Sequence, residues 1–335
     1  MKTLSSIRFP SIFRTMLVLA VLIIPPVAQA QWHAAVGAQN HDMGRQALAF
    51  LPNEMWIHAG DSITWKLETD EPHTVTFLKP GQVRPPFQVG CPPTTSPSGS
   101  PFDNSACVNA GPLAKGQNYA VTFPKPGNYK LVCLFHANMT AVVHVLPLSE
   151  ALPHNQDFYD DEAADHRKDL LSDTDHDRDR DHERHDSEHH HHLRGAVTAG
   201  VGEVSATTGG SDSLSVLRFL EPTTVIHAGE TVEWSNLDPV TPHTITFGVE
   251  PANPMPPSSN VKPDDEGALH ATINSTADSV HSGFIVAAPQ DRIGLAQAPL
   301  SFTRFRVTFT HAGVYPYICA LHDTLGMKGK VIVLK

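Results

Sequence analysis

The sequence predicts an all-β chain: two antiparallel β-sandwich domains joined by a disordered linker rich in acid and histidine. Three observations carry that prediction. A set of landmarks recurs in the same order in both halves, the segments between landmarks are short and β-rich, and one interval between the halves changes composition abruptly. A chain of 335 residues that is 40% hydrophobic, with 28 prolines and 22 glycines, has room for two ordinary domains and a tether. Those prolines and glycines favour short strands and turns over long helices.

Taken in order, residues 1–30 read as a secretory signal. Lys2, Arg8 and Arg14 form a basic start, Met16 to Ile24 an apolar run, and Ala28-Gln-Ala30 a small-residue cleavage site. The apolar run is too short to span a bilayer and meets Pro25-Pro26. No cysteine begins the mature chain, so no lipid anchor is expected there. The protein is expected in the periplasm or secreted, with no membrane span after the signal is removed. The formal net charge is −11, and removing the signal takes it to about −14. So acidic a surface argues against nucleic acid and favours basic partners.

The first sandwich is placed at 31–148 and the second at 196–335. Phe50-Leu-Pro-Asn-Glu-Met-Trp-Ile-His-Ala-Gly60 aligns without a gap to Phe219-Leu-Glu-Pro-Thr-Thr-Val-Ile-His-Ala-Gly229. Each continues into a strand ending in tryptophan, Trp65 or Trp234, which are expected to fill equivalent core positions. Then come Pro72-His73-Thr-Val-Thr-Phe77 and Pro242-His243-Thr-Ile-Thr-Phe247. Last, Phe123-x3-Gly127-x-Tyr129-x3-Cys133 matches Phe309-x3-Gly313-x-Tyr315-x3-Cys319. Runs such as Tyr129 to Val132, Val142 to Val145 and Arg304 to Phe309 are strand-like and bounded by turn residues.

Two irregular insertions interrupt the repeats, about Lys79 to Gly116 and Val249 towards Pro299. Loops of that length call for a function or a tie. The first holds Cys91 and Cys107, the two cysteines left once Cys133 and Cys319 are assigned to their motifs. Parity in an oxidising compartment predicts that they pair, the alternative being two free thiols.

Residues 149–195 form the linker. Glu150 to Arg194 carries 15 Asp/Glu against 6 Lys/Arg and nine of the chain's 21 histidines. Such a composition cannot bury enough apolar surface to offset its ordering entropy, so a solvated tether is expected. Its histidines, His176, His182, His185 and His189 to His192, also suit a low-affinity metal collector.

The chemistry lies in two clusters. Cys319-x2-His322-x4-Met327 brings together a thiol, an imidazole and a thioether, and Cys133-x2-His136-x2-Met139 does the same two residues shorter. One Cys, two His and a weak axial Met describe a blue-copper electron-transfer site. The motifs therefore predict one more histidine each, His73 and His243. Taken singly, each residue would more often be simple packing. The joint, duplicated pattern outweighs that reading.

Each half resembles a cupredoxin, the family of plastocyanin, pseudoazurin and amicyanin. The longer ligand loop is similar to those of plastocyanin and pseudoazurin, the shorter to that of amicyanin. The resemblance implies Greek-key sandwiches and two type 1 copper ions. It also implies that His136 and His322 present one ring edge at an apolar surface near Phe135, Pro72, Leu325 and Pro242. An exported single-electron carrier is the expected function, with a redox protein of unknown identity as donor or acceptor and no catalytic residues. Two alternatives stand beside it. A two-domain copper oxidase or nitrite reductase would need a catalytic copper site built from extra histidines, such as His-x-His pairs, which the sequence outside the linker lacks. A copper storage or delivery protein would use the linker as collector. His58 and His227, repeated beside turn glycines, and the unrepeated His144 are expected to be structural.

Overall fold

The structure is a computed structural model that describes residues 29–85, 91, 95–172, 195–287 and 300–335. Of the expected secretory signal (1–30), residues 1–28 lie outside the described residues. So do residues 173–194, with the histidines of the suggested metal collector. Among the described residues no helix is long and apolar enough to cross a membrane.

The first sandwich contains β1 (Gln31–Gln39), β2 (Arg45–Leu51), β3 (Glu54–His58), β4 (Ser62–Leu67) and β5 (Thr76–Phe77). It continues with β6 (Ser100–Pro101), β7 (Val108–Asn109), β8 (Asn118–Thr122), β9 (Gly127–Val132) and β10 (Thr140–Leu146). One sheet runs β2-β1-β4-β8-β6 and the other β3-β10-β9-β5-β7. Most ladders are antiparallel, while β1/β4, β3/β10 and β6/β8 are parallel. Alternation explains the layering. In β4, Ile63, Trp65 and Leu67 point inward, and in β10 Ala141, Val143 and Val145 do so. Trp65 packs against Phe77 and Phe123 at the centre of this core.

The second sandwich repeats the plan. It is built from β11 (Ala196–Ala206), β12 (Ser211–Leu220), β13 (Thr223–His227), β14 (Thr231–Leu237) and β15 (Thr246–Phe247). Then follow β16 (Lys262–Pro263), β17 (Leu269–Ile273), β18 (Val280–His281), β19 (Arg304–Phe309), β20 (Gly313–Ile318) and β21 (Lys328–Leu334). Its sheets run β12-β11-β14-β19-β17-β16 and β13-β21-β20-β15-β18. Trp234 occupies the place of Trp65, against Phe247, Phe305 and Tyr317. Both insertions are tied into their sheets. In the first, Cys91 and Cys107 form the expected disulfide, with Cα atoms 5.6 Å apart. In the second, Arg306 Nη1 reaches Asp264 at 2.9 Å and Nη2 reaches Glu266 at 2.7 Å.

The two sandwiches meet edge to edge. β2 pairs antiparallel with its repeat counterpart β12, Leu48 opposite Ser213 and Gln46 opposite Ser215, so the two first sheets form one continuous sheet. Equivalent strands that pair with each other create a pseudo-two-fold junction and remove two exposed edges at once. Val240 of the second half packs into the core of the first.

The linker departs from expectation. Its first part folds as α1 (Gln156–Ser172), lying on β1 and β2. Asn155 Oδ1 caps the helix by accepting the Phe158 N–H at 3.1 Å. Tyr159 is fully buried; its hydroxyl accepts the Trp56 N–H at 2.8 Å and donates to the Trp56 carbonyl at 3.1 Å. Ala163, Leu170 and Leu171 cover Ala38, Ala47, Ala49 and Leu51. The six acidic residues of the helix face solvent. Composition averaged over the whole segment hides this short apolar stripe, which has a sheet to pack on.

Candidate metal centres

Each half gathers one thiol and two imidazoles below its surface. His73 lies between β4 and β5, held by a backbone bridge to Leu113, and His243 is held in the same way by Ile285. Cys133 and Cys319 follow directly on β9 and β20, and His136 and His322 stand in the loops before β10 and β21. In the first centre Cys133 Sγ is 3.8 Å from His73 Nδ1 and 3.7 Å from His136 Nδ1, and the two Nδ1 atoms are 3.0 Å apart. In the second, Cys319 Sγ is 3.9 Å from His243 Nδ1 and 3.4 Å from His322 Nδ1, with 3.2 Å between the nitrogens. All six residues are buried, and within each group the donor atoms lie within 4.8 Å of one another.

Both ligand loops close alike despite their different lengths. The Cys133 N–H donates to the Met139 carbonyl at 3.0 Å, and the Cys319 N–H to the Met327 carbonyl at 3.1 Å. Both methionines are fully buried in the same apolar cluster as their cysteine. The donor chemistry fits copper: a thiolate is a soft ligand, and imidazole suits either oxidation state.

The family model for copper binding proteins, plastocyanin/azurin family, matches residues 37–146 and again 204–334. The chain belongs to that family. Solved structures similar to it include a reduced amicyanin mutant (21% identity over 36% of this chain and 87% of that one, TM-score 0.24). Amicyanin from Paracoccus versutus is similar at 21% identity (36% and 86%, TM-score 0.24). A purple cupredoxin from Nitrosopumilus maritimus is similar at 20% (34% and 99%, TM-score 0.23).

Around each copper-family centre the chain supplies further contacts that sequence reading missed. The threonine after each strand histidine clamps the thiol. The Thr74 N–H donates to Cys133 Sγ at 3.4 Å, and the Thr244 N–H to Cys319 Sγ at 3.3 Å. The Thr74 and Thr244 hydroxyls in turn accept the N–H of Leu134 and of Ala320, at 2.8 and 2.7 Å. The repeated His-Thr pair was the available signal. Gly37 and Gly200, at kinks in β1 and β11, have φ of 66° and 79° and lie against the backs of His73 and His243. A Cβ on Gly37 would sit 2.8 Å from His73 Nε2, and one on Gly200 would overlap the His243 ring. In the first half Arg84 donates to the Cys133 carbonyl.

Carboxylates stand behind three of the four imidazoles. Asp238 Oδ2 is 3.6 Å from His243 Nε2. Glu71 Oε1 is 3.3 Å from His136 Nε2, while its Oε2 is 3.6 Å from His322 Nε2 of the other half. His73 Nε2 is buried with no hydrogen-bond partner among the described residues. Burial raises the Cys133 and Cys319 thiols, but the facing imidazoles outweigh it and hold both well below the usual thiol range. Burial also opposes the charged forms of Glu71, His136 and His243. The His136 and His322 contacts nonetheless hold Glu71 at about 2, the Cys133 and Glu71 contacts lift His136 to about 9, and Asp238 and Cys319 lift His243 to about 9. Burial pushes His73 down.

One expectation is overturned here. His136 and His322 do not present ring edges to solvent; each is 3% exposed, and both edges face the junction between the sandwiches. Of the four residues expected to surround them at a surface, Leu325 is buried and Phe135 packs on the first core, while only Pro72 is exposed outright. In this chain Glu71 lies against both ring edges on that face. The other histidines sit elsewhere. His144 bonds Asn128 and Glu54 and stacks on Trp56, His58 reaches the Glu150 carbonyl, and His281 bonds Thr246 and the Pro254 carbonyl.

Proposed function

We propose that this is an exported type 1 copper protein carrying single electrons through two mononuclear centres. His73, Cys133, His136 and Met139 hold one ion, and His243, Cys319, His322 and Met327 the other. The observation that carries this reading is the pair of preassembled thiol–bis-imidazole groups, each with its donors within 4.8 Å. Bound copper supplies the one-electron couple at each centre. The protein's part is to hold the donors still. The Thr74 and Thr244 N–H groups clamp the sulfurs, and Asp238 and Glu71 stand behind three of the imidazoles. A basic start, an apolar run and a small-residue cleavage site support export of the chain.

Metal analysis with visible absorption tests this. The native protein should carry two coppers per chain and a blue band when oxidised. Cys133→Ala and Cys319→Ala should each lose one copper and part of the band. A colourless oxidised protein with both coppers bound would sink the reading. A type 2 copper signal in paramagnetic resonance would favour an enzyme instead, and more than two coppers lost easily to chelators would favour storage.

A further inference from the structure

We infer that Glu71 joins the two centres into one redox unit, bridging the loop histidines His136 and His322 so that an electron exchanges between the centres inside a single chain. The inference rests on the two-copper reading above. Its basis is a continuous run of side chains across the domain junction. Cys133 Sγ faces His136 Nδ1 at 3.7 Å, and His136 Nε2 faces Glu71 Oε1 at 3.3 Å. On the other side Glu71 Oε2 faces His322 Nε2 at 3.6 Å, and His322 Nδ1 faces Cys319 Sγ at 3.4 Å. Glu71 is 7% exposed and both histidines 3%.

The arrangement is supported from several sides. β2 and β12 fix the two sandwiches in register across the same seam. Arg218, on β12, donates from Nη1 to the Leu325 carbonyl in the second ligand loop at 2.8 Å, and its Nη2 reaches the Asp42 carbonyl of the first half. Val240, three residues before His243, is buried in the first core. A ligand loop of one sandwich is thus held against the other sandwich by groups outside either metal centre.

The bridge also breaks the repeat. Thr241 stands where the first half has Glu71, and its hydroxyl bonds Ser215 at 2.8 Å instead. One carboxylate therefore serves both loop histidines, which is what a shared link across a pseudo-two-fold junction needs. Two carboxylates at that spot would repel each other in a buried site. In the exchange, one electron leaves the reduced centre and enters the oxidised one, so no external oxidant or reductant is consumed.

The test uses the full copper-loaded chain, given less than one reducing equivalent by a pulsed small-radical reductant. Spectra then follow how the electron redistributes between the two blue centres. A redistribution rate independent of protein concentration is expected. Glu71→Gln, which keeps the reach to both rings, should stay within a few-fold of the native rate. Glu71→Leu, which removes the bridging carboxylate, should slow it well beyond that few-fold margin. A second readout needs no metal: in copper-free, nitrogen-15 histidine-labelled protein, Glu71→Leu should shift the Nε2 resonances of both His136 and His322. A rate proportional to protein concentration, or one unchanged by Glu71→Leu, overturns the inference. So does a shift confined to one histidine, which can be read even if Glu71→Leu loads copper poorly, since Glu71→Gln should also shift both resonances. Failure of the two-copper reading itself would appear separately, as a native protein lacking two blue centres.

Discussion

The two sandwiches keep the same three donors in nearly the same geometry, yet almost everything just outside that geometry differs. The first half has a ligand loop two residues shorter, a disulfide in its insertion, a helix over its sheet and a carboxylate behind its loop histidine. The second has an arginine-centred ion cluster in its insertion and a carboxylate behind its strand histidine. The difference separates two kinds of constraint. The thiol and two imidazoles and the strands carrying them are kept in both halves, while the contacts around them differ and include those that form the junction.

The sharpest way to break the equivalence is through the cores. Trp65→Ala and Trp234→Ala should each destabilise the chain by about 3–5 kcal/mol in chemical denaturation, because both rings are fully buried among aromatic neighbours. A markedly smaller loss at one of them would show that the two halves are not built on the same core. Next comes the insertion tie. Replacing Cys91 and Cys107 by serine opens a link of sequence separation 16 and should cost about 3 kcal/mol. Copper in the second half should be unaffected, as read by the blue band of the Cys133→Ala background.

A smaller effect, about 1–3 kcal/mol of strain, is expected from Gly37→Ala and Gly200→Ala, since both positions have positive φ. The change at Gly200 should release copper from its centre faster than the change at Gly37. At Gly200 the three nearest atoms all belong to the His243 ring, whereas at Gly37 the nearest is a Thr69 methyl group. Copper transfer to a chelator would measure this, and equal release rates would refute the asymmetry.

The smallest effect concerns α1. His166 Nε2 is 3.0 Å from the buried Asp212 on β12, and that carboxylate lifts the histidine above its ordinary value, while burial lifts Asp212. The sign follows from linkage. A raised histidine contributes its full stabilisation below the ordinary histidine range and loses it as pH rises through the raised value. Amide exchange in α1 should therefore quicken as pH is raised past neutrality, beyond the intrinsic rate increase. His166→Ala should remove that excess, and an unchanged excess would show that the pair does not hold the helix.

Most of the site was legible beforehand because its residues obey a spacing rule. Cys133, His136, Cys319 and His322 sit in short motifs, and the repeat picked out His73 and His243. The structure brings the three side chains of each set together. The disulfide followed from counting cysteines. Glu71 was not legible: it is unrepeated, and nothing about an acid before Pro-His shows that it will face a histidine from the other domain. Asp238 was hidden for a similar reason, lying five residues from its histidine in no motif. Helix α1 was missed because its apolar positions are few and acquire meaning only from the sheet beneath them.

What this sequence determined unaided is local chemistry: strand pattern, donor identity and donor order, all properties of neighbours along the chain. What the tertiary structure alone decided is which buried edges meet. That depends on how two separately specified sandwiches join through β2 and β12, and contacts between residues this far apart leave no periodic trace in the chain. The placing of one carboxylate between two histidines is the consequence.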